Sequence, residues 1–133
     1  MAKIDRFEDM DVWKKSMDLC NKIYIVTNEK KFSNDFALRD QVRKSAISIP
    51  SNIAEGFERE SNNQFIYFLL IAKASAGELR TQIYIAYNCN YIDNIKKNEL
   101  IDNLIEISKL LGGFIAYLRS IKKQATTLQK QFS

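Results

Sequence analysis

Arg43-Lys-Ser-Ala-Ile-Ser-Ile-Pro-Ser-Asn-Ile-Ala-Glu-Gly-Phe57 holds the single proline of this 133-residue chain and decides how the chain folds. Within it and just before it, Leu38, Val42, Ala46, Ile49, Ile53 and Phe57 follow one another at intervals of 4, 4, 3, 4 and 4 residues. Those intervals place all six side chains on one face of an α-helix, and the stripe keeps its register across Pro50. A proline inside a helix removes one backbone hydrogen bond and costs about 3 kcal/mol. The unbroken stripe therefore predicts a kinked but continuous helix, with Ser48 or Ser51 placed to satisfy the carbonyl that Pro50 leaves free. The alternative is a break, with Pro50 as the first residue of a new helix behind a cap near Ser48.

Three further amphipathic segments surround this one. The first is expected from Asp9, an N-cap candidate, to Thr27, with Trp13, Met17, Cys20, Tyr24 and Thr27 as its apolar stripe. Glu29 to Ser33 is polar and predicts a connection before the Pro50 helix, which spans Asn34 or Asp35 to Glu58. Ser61-Asn-Asn-Gln64 has the spacing of a capping box. It opens a third helix, to about Cys89, with Phe65, Phe68, Ala72, Ala76, Leu79, Ile83 and Ala86 on its core face. A turn at Asn90 to Asp93 leads to a fourth helix, from Asn94 to Lys123, carried by Leu104, Ile107, Leu111, Phe114, Leu118 and Ile121. Ala74-Ser-Ala-Gly77 and Gly112-Gly113 offer places where a neighbouring backbone can come close. Four helices with short connections predict an all-α, antiparallel up-down four-helix bundle over residues 1–123, and a disordered tail over 124–133.

Composition narrows the function. The chain has no histidine, which removes His-based triads, His-ligated zinc and the Glu-x-x-His pairs of di-iron bundles. No catalytic, cofactor or metal site and no small-molecule substrate is expected. The longest apolar run, Phe65 to Ala72, is far below the roughly 18 residues of a membrane span, and the polar start lacks a secretory signal. A cytoplasmic protein is expected, with Cys20 and Cys89 as small buried hydrophobes.

Phe65-Ile-Tyr-Phe-Leu-Leu-Ile-Ala72 is apolar all round, more than one core face requires. Ile66, Tyr67, Leu70 and Ile71 are therefore expected at a subunit interface; the alternative is a partly exposed patch with no partner. With a turn centred near residue 60, Arg43 and Glu78 fall at the same level of neighbouring helices and predict a structural ion pair. Glu55, level with Phe65 or Ile66, lies many turns from Glu78, so the two carboxylates cannot share a substrate atom.

The formal charge of +4 is uneven. Residues 1–60 balance eleven basic against eleven acidic side chains, whereas residues 107–133 carry five basic and no acidic ones. Lys14, Lys15, Lys22, Arg39, Lys44, Arg119, Lys122 and Lys123 lie off the core stripes and are the candidate nucleic-acid contacts; each taken alone is equally a solvated surface residue. No RNA-recognition signature, zinc knuckle or Gly-rich phosphate loop is present, so binding would address the backbone or the shape of a nucleic acid.

Three blocks, Phe7-Glu-Asp-Met-Asp-Val-Trp13, Gln41-Val-Arg-Lys-Ser-Ala-Ile-Ser-Ile-Pro-Ser-Asn-Ile-Ala-Glu-Gly56 and Ile71-Ala-Lys-Ala-Ser-Ala-Gly-Glu-Leu79, together resemble the small four-helix-bundle proteins encoded by intervening sequences in bacterial 23S ribosomal RNA genes. The likeness runs in order from about Phe7 to Leu118, and its central block is the specific one. It implies a bundle that assembles into a ring-like homo-oligomer, a pentamer, and a role with RNA. Such a ring would carry roughly +20 formal charge, enough to favour a phosphate backbone through counterion release. The expected function is a non-enzymatic oligomer that binds structured RNA, ribosomal RNA being one candidate, through basic helix faces. The rival is an oligomeric adaptor for an acidic protein, which would use the same cations.

Overall fold

The computed structural model describes residues 3–132, apart from the side chains at positions 126 and 132. A 3-10 turn at Phe7–Asp9 precedes five α-helices: α1 Asp11–Thr27, α2 Lys30–Ser33, α3 Phe36–Glu58, α4 Asn62–Asn88 and α5 Asn94–Phe132. No strand occurs among the described residues. The four long helices form one helical bundle in which α1 packs on α3 and α5, α3 on α4, and α4 on α5.

The opening stretch behaves as one helix. α3 runs through Pro50 without a break, with Val42, Ala46, Ile49 and Ile53 fully buried and Leu38 and Phe57 partly so. Pro50 has no N–H for the carbonyl of Ala46 one turn earlier. Neither Ser48 nor Ser51 serves that carbonyl. The Cys20 thiol of α1 donates to it at 3.1 Å, and burial pushes that thiol up to about 11, so it stays protonated. Ser48 instead pairs with the Ser75 hydroxyl of α4 at 2.8 Å and accepts from Asn52 Nδ2. Cys20 is thus a hydrogen-bond donor as well as a core residue, and Cys89, expected to be buried, is exposed.

Helix ends follow side-chain chemistry. Asp35 Oδ1 accepts from the Leu38 amide at 3.1 Å and caps α3. Ser61 Oγ accepts from the Gln64 amide at 3.3 Å, half of the expected capping box. α4 ends in a left-handed residue, Asn90 at φ 62°, with the Tyr91 amide bonded back to Ala86 O and the Asn90 amide to Tyr87 O. Asp93 Oδ1 then accepts from the Lys96 amide at 2.7 Å and starts α5. α1 starts later than expected: Asp9 lies in the 3-10 turn, and Met10 precedes the helix without a side-chain cap.

Three expectations about packing change. The buried face of α1 is Val12, Ser16, Leu19, Ile23 and Val26, whereas Met17 and Tyr24 are exposed. Ser16 and Thr27 sit in the core because each hydroxyl donates to the carbonyl four residues back, Val12 and Ile23, both at 2.7 Å. The polar connection contains α2, whose Phe32 is fully buried with its ring 5.3 Å from that of Tyr91. The close backbone approach is at Gly56, where an added Cβ would lie 2.8 Å from Phe68 Cβ and 2.9 Å from Phe65 Cδ1. Gly77 and Gly113 face open space.

α5 also runs past Lys123, where the sequence placed the end of the bundle, to Phe132. Leu118 is the last buried residue described on it, so residues beyond form a helical extension of the bundle. At its root, rings of Phe57, Phe65, Phe114 and Tyr117 form a chain with successive centroids 6.0, 5.4 and 6.0 Å apart.

Candidate interaction surfaces

The eight candidate cations do not converge on one site. Lys15 and Lys22 stand a helical repeat apart along α1 and face α5. Lys15 bonds Glu106 and lies 3.6 Å from Asp11; Lys22 lies 3.2 Å from Glu99 and donates to Asn103 Oδ1 at 2.9 Å. The hydrogen bond to Glu106 holds the Lys15 ammonium above its ordinary range, with Asp11 adding to it against desolvation. Glu99 is held below the ordinary glutamate range by hydrogen bonds first from Lys96 and then from Lys22. Lys15, Asp18, Lys22, Asn103 and Glu106 line a small cleft of about 90 Å³ whose charges are already matched. Both lysines stitch α1 to α5.

Arg39 lies near the start of α3, beside α2. Its guanidinium bonds Asp40 at 3.0 Å and Ser33 O at 3.2 Å, and stacks 4.9 Å from the Phe36 ring. Lys14 and Lys44 are exposed, and neither forms an ion pair with a described residue. Lys44 borders a polar cleft between α3 and α4 with Gln41, Ser45, Ser48, Ser75 and Glu78. Arg119, Lys122 and Lys123 are exposed on the α5 extension, and no acidic residue follows Glu106 in the chain.

Arg43 and Glu78 do not pair. Arg43 Nε donates to Thr27 Oγ1 at 2.8 Å, and its guanidinium sits 4.6 Å over the Tyr24 ring of α1. Glu78 accepts from Gln82 Nε2 at 3.3 Å. The level match was sound, since Ser48 and Ser75 meet at 2.8 Å between the same helices. The angle around α3 was not: Arg43 points to α1, and Glu78 lies on the α4 side. Glu55 pairs with Arg59 at 2.6 Å, one turn on at the C-cap of the same helix and away from Glu78.

The expected interface residues divide. Ile66 is 8% exposed and belongs to the core cluster. Tyr67 and Leu70 are exposed at 60% and 42%, and Ile71 is half-buried. A second apolar surface was missed. Phe7, Trp13, Met17, Tyr24, Ile47, Pro50 and Ala54 line an open groove of about 450 Å³ between α1 and α3. Its sequence signal is the Trp13–Met17–Cys20–Tyr24 stripe, whose spacing equally suits a core face. Among the described residues no group of three or more His, Cys, Asp or Glu side chains could hold a metal ion. None of their helices is long and apolar enough to cross a membrane.

The chain matches the 23S rRNA-intervening sequence protein family over residues 8–113 and belongs to that family. It is also similar to the crystal structure of a protein of unknown function from the S23 ribosomal protein family of Bacteroides thetaiotaomicron. The two share 29% sequence identity at a TM-score of 0.72, over 78% of this chain and 97% of that one. No curated protein matches. The family match ends at Gly113, so Arg119, Lys122 and Lys123 fall outside it.

Proposed function

We propose that this family member is a cytoplasmic, non-enzymatic, self-associating four-helix bundle that binds structured RNA through phosphate contacts. The observation that carries the reading is the last part of α5. From Ile107 onward the chain has five basic and no acidic side chains, and no described residue of the helix beyond Leu118 is buried. Arg119 and Lys123 stand on an exposed stretch of helix that carries no carboxylate and can meet phosphate, whereas Lys15, Lys22 and Arg39 are engaged with carboxylates. The primary RNA contacts are Arg119 and Lys123, with Lys122 between them on the same stretch and Lys14 and Lys44 as peripheral ones. The family's link to 23S ribosomal RNA genes makes a structured RNA the polyanion of choice.

The four long helices alternate in direction, with a bend in α3 at Pro50. Support comes from contacts whose numbers rise along one helix as they fall along its neighbour: Phe57 with Phe65 and Ser48 with Ser75, Lys15 with Glu106 and Lys22 with Glu99. Self-association into a ring would bury Tyr67 and Leu70 on the outer face of α4.

Fluorescence anisotropy of a structured ribosomal RNA fragment, titrated beside duplex DNA, tests the reading. Micromolar or tighter binding to the RNA, lost when Arg119, Lys122 and Lys123 become glutamine, is expected. No binding at low salt, or binding indifferent to those three changes, would remove it.

A further inference from the structure

We propose that the α5 extension is a self-association helix, pairing through Ile121, Ala125 and Leu128 with the same segment of a second copy of this chain. The proposal names where copies meet and so rests on the self-association reading above. Inside the bundle, Leu104, Ile107, Leu111, Phe114 and Leu118 alternate at intervals of 3 and 4 and pack against the other helices. The alternation continues without a fault to Ile121, Ala125 and Leu128. Ile121 is half-buried at the root of the extension, and beyond it the repeat is uncovered: Ala125 is exposed and Leu128 is 55% exposed. The helix past Leu118 is about 14 residues, roughly 21 Å. An apolar 3–4 repeat is the seam by which helices pair side by side.

The residues around the seam select a second copy as the occupant. Lys122, Gln124, Gln129 and Gln131 flank it, so three of the four flanking positions are uncharged. Arg119, Lys123 and Lys130 fall on the opposite side. A seam built for an acidic partner helix would carry its cations at the flanks, where they reach across to the partner. Here the flanks suit an identical helix in parallel register, and pairing turns the cations outward. Two heptads are too short to pair firmly alone, so the bundle bodies must hold them together. The juxtaposed extensions then present their positive faces side by side to a phosphate backbone.

Two measurements test this on the full chain. In sedimentation velocity at tens of micromolar, the wild type is expected above the single-chain mass, and Leu128→Asp is expected to shift the profile toward smaller species. Circular dichroism of the same variant checks that the bundle, which Leu128 does not touch, is intact. In a Cys89→Ser background, Ala125→Cys in the seam is expected to form an inter-subunit disulfide at least tenfold faster than Lys123→Cys outside it. An oligomer in which both cysteines cross-link at the same rate, or neither does, overturns the extension pairing and leaves self-association through α4 standing. A single-chain mass overturns both.

Discussion

Gly56 should be the one glycine in this chain that resists a methyl group. Alanine in a helix interior is favoured over glycine by about 1 kcal/mol when nothing obstructs its Cβ. At Gly77 nothing lies within 4 Å of that position, so Gly77→Ala should stabilise the fold by up to about 1 kcal/mol. At Gly56 the new Cβ would meet Phe68 Cβ at 2.8 Å, Phe65 Cδ1 at 2.9 Å and Phe65 O at 3.2 Å. Two of those atoms are backbone or next to it and cannot swing away, so α3 and α4 must separate where they pack on each other. Overpacking of this kind costs about 1–3 kcal/mol, and three simultaneous contacts place it toward the upper end. After the propensity gain, Gly56→Ala should destabilise by about 2 kcal/mol, leaving about 3 kcal/mol between the two variants. Urea unfolding followed by circular dichroism, at one fixed protein concentration and with unchanged m-values, measures both. A Gly56→Ala variant as stable as Gly77→Ala would refute the claim that helix approach demands glycine here.

The remaining predictions concern the proline, a carboxylate and a capping tyrosine. Cys20→Ala should cost about 1–3 kcal/mol, because it leaves the buried Ala46 carbonyl without a donor. In a Pro50→Ala background the residue 50 amide serves that carbonyl, so the same change should cost about 1 kcal/mol less; a double-mutant cycle with no coupling would contradict this. Glu99 titrates below the ordinary glutamate range in the folded chain, so its stabilising contribution is complete above the unfolded value and lost as pH falls through the folded one. Carbon-detected NMR titration should show the depressed pKa, and Glu99→Gln should flatten the acid limb of the stability profile. Tyr91→Phe removes the 2.9 Å bond to Asp35 and should lower the thermal unfolding midpoint, while Tyr87→Phe should not have that effect.

Much of the fold was legible because the α3 stripe carries no polar interruption: Val42, Ala46, Ile49 and Ile53 are core residues at the spacing that announced them. Asp35 and Ser61 likewise cap where a short polar side chain before an apolar run says they should. α1 was misphased for a physical reason. Two stripes about 100° apart compete there, and the large residues Trp13, Met17 and Tyr24 outweighed a true core face containing Ser16. A serine that bonds its own helix is invisible to hydrophobic periodicity. Phe32 was lost among lysines because a single buried residue in a four-residue helix has no period. The candidate site was legible only as charge. Counting charges located the acid-free end of α5, but not that Lys15, Lys22 and Arg39 already have carboxylate partners. Arg43 shows the same limit, since hairpin register gives the height of a residue along a helix and not the direction it faces.

The central claim is that exposed cations on α5 bind an RNA phosphate backbone. Its most direct test is the salt dependence of RNA affinity in the wild type and in Arg119→Gln/Lys123→Gln. Each phosphate contact steepens the slope of log K against log salt by about 0.7–0.9, so removing two should flatten it by about 1.5 and weaken binding at low salt. Identical slopes in the two proteins would contradict the account.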